Sequence, residues 1–235
     1  MATIFDCSEP AGILTGMRLA RAALGRGELV VLPTDTVYGL AADAFNPAAV
    51  QRLLEAKGRG RQSPPPVLIP TIATLEALAE HVSDEVRALT TAFWPGALTV
   101  IVAARETLRW DLGDTNGTVA LRMPNNVFAL ELLAEIGPLA VSSANLTGQA
   151  PATTIANAEK MLGNSVSVYL DGGEVGLSFA DAALGSTIVD ATGDTVRVVR
   201  HGVISEEQIR AVLETIAPSS TSPTVPPTSQ SDPAS

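Results

Sequence analysis

Hydroxyl, amide and cationic side chains stand at the ends of the apolar, strand-like runs of this sequence. Lysine and arginine can neutralise phosphate oxygens, while serine, threonine and asparagine can orient them through hydrogen bonds. The sequence has neither a GxxxxGK[ST] loop nor a GxGxxG after a strand, so a bound phosphate would need another cradle. The candidate residues for that cradle are Thr34, Thr36, Lys57, Arg59, Arg122, Ser143, Asn145, Ser186 and Arg200.

The stretch 33–45 is the densest of these segments. Residues 29–32 have the length and β-branching of a buried strand, so Thr34 and Thr36 follow where that strand gives way to a turn. Backbone groups at strand ends are free to meet a ligand, and Gly39 would permit a close approach. An ordinary strand end with a tight turn is the alternative interpretation.

Four basic residues fall within ten positions: Arg52, Lys57, Arg59 and Arg61. The net charge of −10 disfavours broad binding to nucleic acid, because contacts along a duplex need many clustered cations. A local positive cluster in an acidic chain fits a compact anion, such as a nucleotide phosphate, better. Two alternatives stay open, a solvated basic loop and, for Lys57, a favourable interaction with the C-terminal end of a helix.

Cysteine and histidine are too scarce to suggest other chemistry. The single Cys7 cannot form an intramolecular disulfide, and with two histidines it offers no recognisable metal-ligand spacing. His81 and His201 lack the neighbours of a nucleophilic triad. The sequence therefore predicts no protein-bound metal and no covalent nucleophile.

Helical and strand-like patterns alternate along the chain, which is typical of one α/β domain. We predict helices over 11–25, 47–57, 75–82, 83–93, 127–136, 155–162 and 205–216. We predict strands over 28–33, 67–69, 97–104, 117–123, 139–141, 166–170, 186–190 and 196–200. The domain is expected to span residues 1–217, and the Pro/Ser/Thr-rich residues 218–235 are expected to be disordered.

The location of the protein is predicted from two further patterns. No run of about 18 apolar residues is present, and the N-terminus lacks the basic and apolar segments of a signal peptide. We therefore expect a cytoplasmic protein that does not associate with a membrane.

Seven ordered motifs resemble those of the Sua5/YciO/YrdC family. They are PTDTVYGLAADAF (33–45), KGR (57–59), FWPGALT (93–99), TVALRMP (118–124), SSANLTGQAPATT (142–154), STIVD (186–190) and VRHG (199–202). The resemblance covers roughly residues 10–215. It implies a YrdC-like α/β fold, in which a twisted mixed sheet flanked by helices surrounds a deep positive cavity.

The same resemblance implies a nucleotidyltransferase, an L-threonylcarbamoyladenylate synthase. Such an enzyme joins L-threonine, bicarbonate and ATP, with Mg²⁺, to give threonylcarbamoyl-AMP and pyrophosphate. The product supplies the N6-threonylcarbamoyladenosine at position 37 of tRNA. The resemblance is to the short, single-domain type, which is expected to pass its product to separate tRNA-modifying transferase proteins and to contact tRNA only weakly.

Family motifs also assign roles to individual residues. L-threonine is expected to contact Thr34, Arg122, Ser143 and Ser186. ATP is expected to contact Lys57, Arg59, Arg61, Thr118, Asn145, Thr153 and Arg200. Lys57 and Arg59 are the expected catalytic residues, because they would neutralise the reacting phosphates.

One family feature is missing from the sequence. Many members carry Pro-Leu-Ile-Val-His after the KxR element, with the histidine near threonine, whereas residues 66–70 read PVLIP here. Two alternative functions stay open. One is a YrdC-like RNA- or nucleotide-binding module without synthase activity, and the other is a carbamoyl-transfer paralogue that uses carbamoyl phosphate.

Overall fold

The computed structural model describes residues 2–179 and 184–216. The strands among them are β1 Thr3–Asp6, β2 Val30–Leu32, β3 Gly39–Asp43, β4 Val67–Leu68, β5 Leu98–Ala103, β6 Thr118–Arg122, β7 Leu139–Ser143, β8 Val168–Asp171, β9 Thr187–Asp190 and β10 Arg197–Arg200. The helices are α1 Pro10–Gly25, α2 Pro47–Ala56, α3 Ile72–Leu78, α4 Asp84–Phe93, α5 Val127–Ile136, α6 Ile155–Leu162 and α7 Glu206–Glu214. The disorder predicted for residues 218–235 lies outside the described residues.

These ten strands form one sheet in the order β1-β8-β2-β3-β7-β4-β6-β5-β9-β10. Strand β8 is parallel to both β1 and β2, β4 is parallel to β6, and β5 is parallel to β9. The other neighbouring pairs are antiparallel. The sheet is therefore mixed, and the predicted α/β class is confirmed.

Helices cover both faces of this sheet. Successive side chains of a strand point to opposite faces, and in β2 Val30 packs in one apolar cluster while Val31 packs in another. The cluster of Val30 also contains residues of α1 and α5, and the cluster of Val31 contains residues of α2 and α6. A third cluster joins α3, α4 and α7 to β5 and β6. Burial on both faces explains why the strands read as continuous apolar runs.

The helix starts follow the sequence signals. The side chain of Asn46 accepts a hydrogen bond from a backbone N–H of α2, and that of Ser83 does so for α4. Ser205 and Gln208 form the predicted capping box at the start of α7. Among the described residues no helix is both long and apolar enough to cross a membrane.

Strands β1 and β3 were not predicted from the sequence. Strand β3 reads Gly-Leu-Ala-Ala-Asp, which has low strand propensity, yet it is paired on both sides by β2 and β7. Close packing against β7 requires a small residue at position 39, because a Cβ added to Gly39 would lie 2.6 Å from Cγ1 of Val141. Residues 33–38 are therefore the connection between two antiparallel strands.

The helical spacing of Leu14, Met17, Ala20 and Leu24 in the sequence predicts one apolar face of α1, and this prediction is wrong at one position. Leu14 is 71% exposed, whereas Met17, Ala20 and Leu24 are buried as expected. Gly16 is buried on that helix too, and a Cβ added there would lie 2.8 Å from Cβ of Phe5. Strand β1 was not predicted from the sequence. Because α1 packs against β1, the buried face of the helix is turned away from Leu14.

Candidate active site

A cavity of about 260 Å³ opens beside the connection 33–38. Strands β6 and β7 end at it, β9 begins at it, and β10 ends at it with Arg200. Seven residues predicted from the sequence line it: Thr34, Thr36, Arg59, Arg122, Ser143, Ser186 and Arg200. Their side chains come from six separate segments of the chain, so the topology of the sheet brings them together.

Two buried threonines shape the wall formed by residues 33–38. The hydroxyl of Thr34 donates to the carbonyl of Val37 at 2.6 Å and lies 3.2 Å from the hydroxyl of Thr36. The backbone N–H of Thr36 donates back to Oγ1 of Thr34 at 3.2 Å. The turn is thus closed by its own side chains, which hold both hydroxyls at the cavity.

Arg122 is buried at the end of β6 and is held by three acceptors. Nε donates to the carbonyl of Gly96 at 2.9 Å, Nη1 to Oγ1 of Thr36 at 3.1 Å, and Nη2 to Oδ1 of Asp35 at 2.6 Å. Burial lowers the pKa of Arg122, and the Asp35 carboxylate opposes this shift. A guanidinium has five N–H donors, so two remain for a ligand such as a carboxylate.

Lys57 follows α2 and is almost completely buried, with 1% of its surface exposed. Its Nζ donates to the carbonyl of Asn145 at 2.7 Å and also to the carbonyl of Ser143. The hydroxyl of Thr147 donates in return to the carbonyl of Lys57 at 2.8 Å. The KGR turn and the SSANLT turn are therefore locked together by side chains from both sides.

Burial, together with the nearby charge of Arg59, lowers the pKa of Lys57 to about 7. Both N–H groups of a neutral amine would be used by the two carbonyls. Protonation adds a third N–H, and Oδ1 of Asn145 lies 3.5 Å from Nζ as a long third acceptor. Lys57 is not among the residues that line the cavity, so it lies behind Arg59, which does line it.

Arg59 and Arg200 complete the positive lining of the cavity. Arg59 donates through Nε to the hydroxyl of Thr147 at 3.1 Å and through Nη1 to that of Ser142 at 3.4 Å. Arg200 donates through Nη2 to both the carbonyl and the hydroxyl of Ser186, at 2.6 and 2.8 Å. Burial lowers the pKa of Arg200, and the charges of Arg122 and Arg59 add to this effect. Three guanidinium groups thus lie close enough to repel one another.

The structure does not bring every predicted nucleotide contact to the cavity lining. Arg61 is half exposed and forms two hydrogen bonds with the carboxylate of Asp111, at 2.8 and 2.9 Å. Thr118 lies at the far end of β6 from Arg122, about 13 Å away at the usual rise of a strand. Thr153 directly precedes the cap of α6.

Asn145 lies behind the lining rather than in it. Its amide Nδ2 donates to the carbonyls of Leu146 and Gln149, at 2.9 and 2.8 Å, and the residue is 4% exposed. Its side chain therefore fixes the turn whose carbonyl accepts from Lys57. This contact places Asn145 beside the predicted phosphate-binding lysine.

Sequence reasoning missed four polar residues of the site. Asp35 holds Arg122, Thr99 shares a hydrogen bond of 2.8 Å with Ser186, and Ser142 and Thr147 hold Arg59. All four lie inside motifs that were recognised, so their position in the sequence was a usable signal. Residue type alone did not separate them from their neighbours.

A family model described as Sua5_yciO_yrdC, telomere recombination, matches residues 22–202. The chain belongs to the Sua5/YciO/YrdC family. It is 49% identical over 213 residues to a Mycobacterium tuberculosis protein with the provisional name threonylcarbamoyl-AMP synthase. The aligned residues are 91% of this chain and 96% of that protein.

Two longer family members are also similar to the chain. The Bacillus subtilis threonylcarbamoyl-AMP synthase is 38% identical over 196 residues, which are 83% of this chain and 55% of that protein. The solved structure of Pyrococcus abyssi Sua5 complexed with L-threonine matches with a TM-score of 0.78 and 33% identity, over 90% of this chain and 61% of that one. The chain therefore spans a little over half the length of these two proteins.

The run 66–70, which lacks the family histidine, also reaches the cavity. Pro66 and Leu68 line it, and the backbone N–H of Ile69 donates to the carbonyl of Arg122 at 2.9 Å. Pro70 follows this contact. The segment thus presents apolar groups to the cavity at Pro66 and Leu68.

Proposed function

We infer that the chain is a threonylcarbamoyl-AMP synthase, which forms threonylcarbamoyl-AMP and pyrophosphate from L-threonine, bicarbonate and ATP. The product serves the threonylcarbamoyladenosine modification of tRNA. One observation carries this inference beyond family membership: Arg59, Arg122 and Arg200 converge on one cavity, although the chain has a net charge of −10. Such a lining suits a reaction between two anions.

The threonine end of the site is proposed to be formed by Thr34, Arg122, Ser143 and Ser186. Arg122 supports this assignment, because two of its N–H groups remain after its three protein contacts and can hold a carboxylate. The cavity of about 260 Å³ is slightly smaller than the usual range for ligand sites, which is about 300–1,000 Å³. It suits an amino acid better than a complete nucleotide.

ATP is proposed to lie at the side of the cavity that faces the KGR turn. Lys57 and Arg59 are the catalytic residues of this proposal, with Arg200 also in the cavity lining and Asn145 holding the turn. Contacts of Arg61, Thr118 and Thr153 with the nucleotide stay predictions. The amino group of threonine would combine with bicarbonate to give a carbamate and water. An oxygen of that carbamate would attack the α-phosphate in line, and pyrophosphate would leave with both electrons of the broken P–O bond. The cations need only position these groups and neutralise their charge.

Mg²⁺ is proposed to be carried by the nucleotide. No group of three or more His, Cys, Asp or Glu side chains in residues 2–179 and 184–216 could hold a metal ion. The hydroxyl-rich lining fits an ion that keeps its waters and is bound mainly by phosphates, as Mg²⁺ often is. When bound, the ion would supply further neutralisation of the triphosphate.

Pyrophosphate release tests the proposed reaction. The purified protein is expected to release pyrophosphate only when ATP, L-threonine and bicarbonate are all present. Release without threonine would instead indicate the carbamoyl-transfer alternative. Retention of tRNA at 0.2 M salt, without any synthase activity, would indicate an RNA-binding module. The net charge of −10 disfavours this alternative.

The location and the partners of the protein are proposed from its family membership. We expect a cytoplasmic enzyme that passes its product to separate transferase proteins and contacts tRNA only weakly. The mycobacterial relative is matched over 96% of its length, so the chain spans nearly all of that protein.

ATP binding is expected to take up a proton at pH 8. Lys57 is mostly neutral at that pH, because its pKa is about 7 without ligand, and a neighbouring phosphate would raise that pKa. Apparent ATP affinity should therefore fall as the pH rises above 7. Titration calorimetry in two buffers of different ionisation enthalpy measures the uptake, which should approach one proton.

The variant Lys57→Arg is the control for this measurement. Its guanidinium stays protonated, so it should bind ATP without proton uptake. Uptake that persists in this variant would mean that another group titrates.

A further inference from the structure

Asp35 contacts Arg122 but is not among the residues that line the cavity. Its Oδ1 accepts from Nη2 of Arg122 at 2.6 Å and from the backbone N–H of Asn125 at 3.0 Å. The exposed fractions of the two side chains are 10% for Asp35 and 8% for Arg122. The pair is therefore buried, unlike the exposed ion pair of Arg61 and Asp111.

The two oxygens of Asp35 are used very differently. Oδ1 accepts both hydrogen bonds, whereas Oδ2 is buried and accepts none from the described residues. A buried carboxylate oxygen without a donor carries a cost in free energy, so a compensating role is expected. Packing alone does not require a carboxylate here, because an amide has the same shape.

We propose that Asp35 is a positioning residue, which orients the Arg122 guanidinium so that its two remaining N–H groups meet the substrate carboxylate. The proposal rests on the assignment of Arg122 to the threonine end of the site. Three acceptors in different directions define the plane of the guanidinium: Asp35, Thr36 and the carbonyl of Gly96. Asp35 supplies the shortest of these contacts and the only negative charge among them.

Orientation and charge can be separated by two substitutions at this position. Asp35→Asn keeps an oxygen at the place of Oδ1 and removes the charge, and no donor of the described residues points at the place of Oδ2. Asp35→Glu keeps the charge but moves it by one methylene. If Asp35 acts by orientation, the glutamate variant is the damaging one.

Binding of L-threonine and of ATP is measured separately by titration calorimetry. We expect Asp35→Glu to raise the Kd for L-threonine about 10- to 100-fold, as misplacement of a positioned group does. Asp35→Asn should change it less than threefold. The Kd for ATP should stay within twofold in both variants, because Lys57 and Arg59 lie on other segments. A general loss of structure would move both constants.

Asp111→Glu is the matched control, since Asp111 also pairs with an arginine but on the exposed surface. It should leave the Kd for L-threonine unchanged. If the extra methylene at position 35 prevents folding, Asp35→Ala replaces the glutamate variant with the same expected loss.

The variant Arg122→Gln separates failure of this proposal from failure of the site assignment. Unchanged threonine affinity in Arg122→Gln would remove Arg122 from the threonine site, and the role of Asp35 with it. A loss in Arg122→Gln without a loss in Asp35→Glu or Asp35→Ala would overturn the positioning role alone. A loss in Asp35→Asn, with wild-type affinity in Asp35→Glu, would show that charge acts rather than orientation, which also overturns it.

Discussion

Replacing Lys57 with methionine is expected to reduce the rate of pyrophosphate release by about 100-fold or more, the usual effect of removing one preorganised electrostatic contact from a reacting centre. Methionine is close to lysine in length and fits a site with 1% exposure. It removes the cation proposed to meet the phosphates. It also removes the lysine donor from the carbonyl of Asn145, which costs about 1–3 kcal/mol of stability for a buried group, whereas the carbonyl of Ser143 still accepts from the backbone N–H of Asn145 at 2.9 Å.

The chain provides its own control for this substitution. Lys160 is the only other lysine, and it is exposed on α6. Lys160→Met should leave activity and melting temperature unchanged. Wild-type turnover in Lys57→Met, with the loss confined to stability, would show that Lys57 only joins the two turns.

Replacing Gly202 with alanine is expected to have the second large effect. A Cβ at this position would lie 2.4 Å from the carbonyl carbon of Ser186 and 2.4 Å from the backbone nitrogen of Thr187. Both are backbone atoms at the start of β9, so the clash cannot be relieved by a change of side-chain rotamer. Overpacking of this kind costs about 1–3 kcal/mol. At about 2–4 °C per kcal/mol for a chain of this size, the melting temperature should fall by roughly 2–12 °C.

Activity should fall more than stability in this variant. Ser186 lines the cavity and accepts from Arg200 through both its carbonyl and its hydroxyl, so a shift of its backbone moves both residues. A displacement of about 1 Å in a positioning group can cost about 100-fold in rate. Calorimetric melting and pyrophosphate release, measured on the same preparation, separate the two effects.

Gly193→Ala is the corresponding control. A Cβ at Gly193 would have no other heavy atom within 4 Å, so it should change neither property. If Gly202→Ala behaves like Gly193→Ala, then the contact between residues 202 and 186 is not as tight as described.

Local signals predicted most of the elements correctly. Caps and apolar periodicity depend on contacts within about four residues, which any window of sequence contains. The caps Asn46 and Ser83 and the capping box at Ser205 are therefore where the sequence indicates. Strand β3 was not predicted, because its Ala-rich sequence has low strand propensity. Its small residues are explained only by the neighbouring strand, in which Val141 lies close to Gly39.

The distinction between local and long-range contacts applies to the site as well. The sequence by itself determined the kinds of side chain available, the order of the elements and, through seven motifs, the family. Only the tertiary structure decided which of these side chains meet and what holds them. Asp35 and Arg122 are 87 residues apart in the sequence, and Lys57 and Asn145 are 88 residues apart. Such pairs carry no local pattern, because the topology of the sheet, rather than the spacing along the chain, brings them into contact.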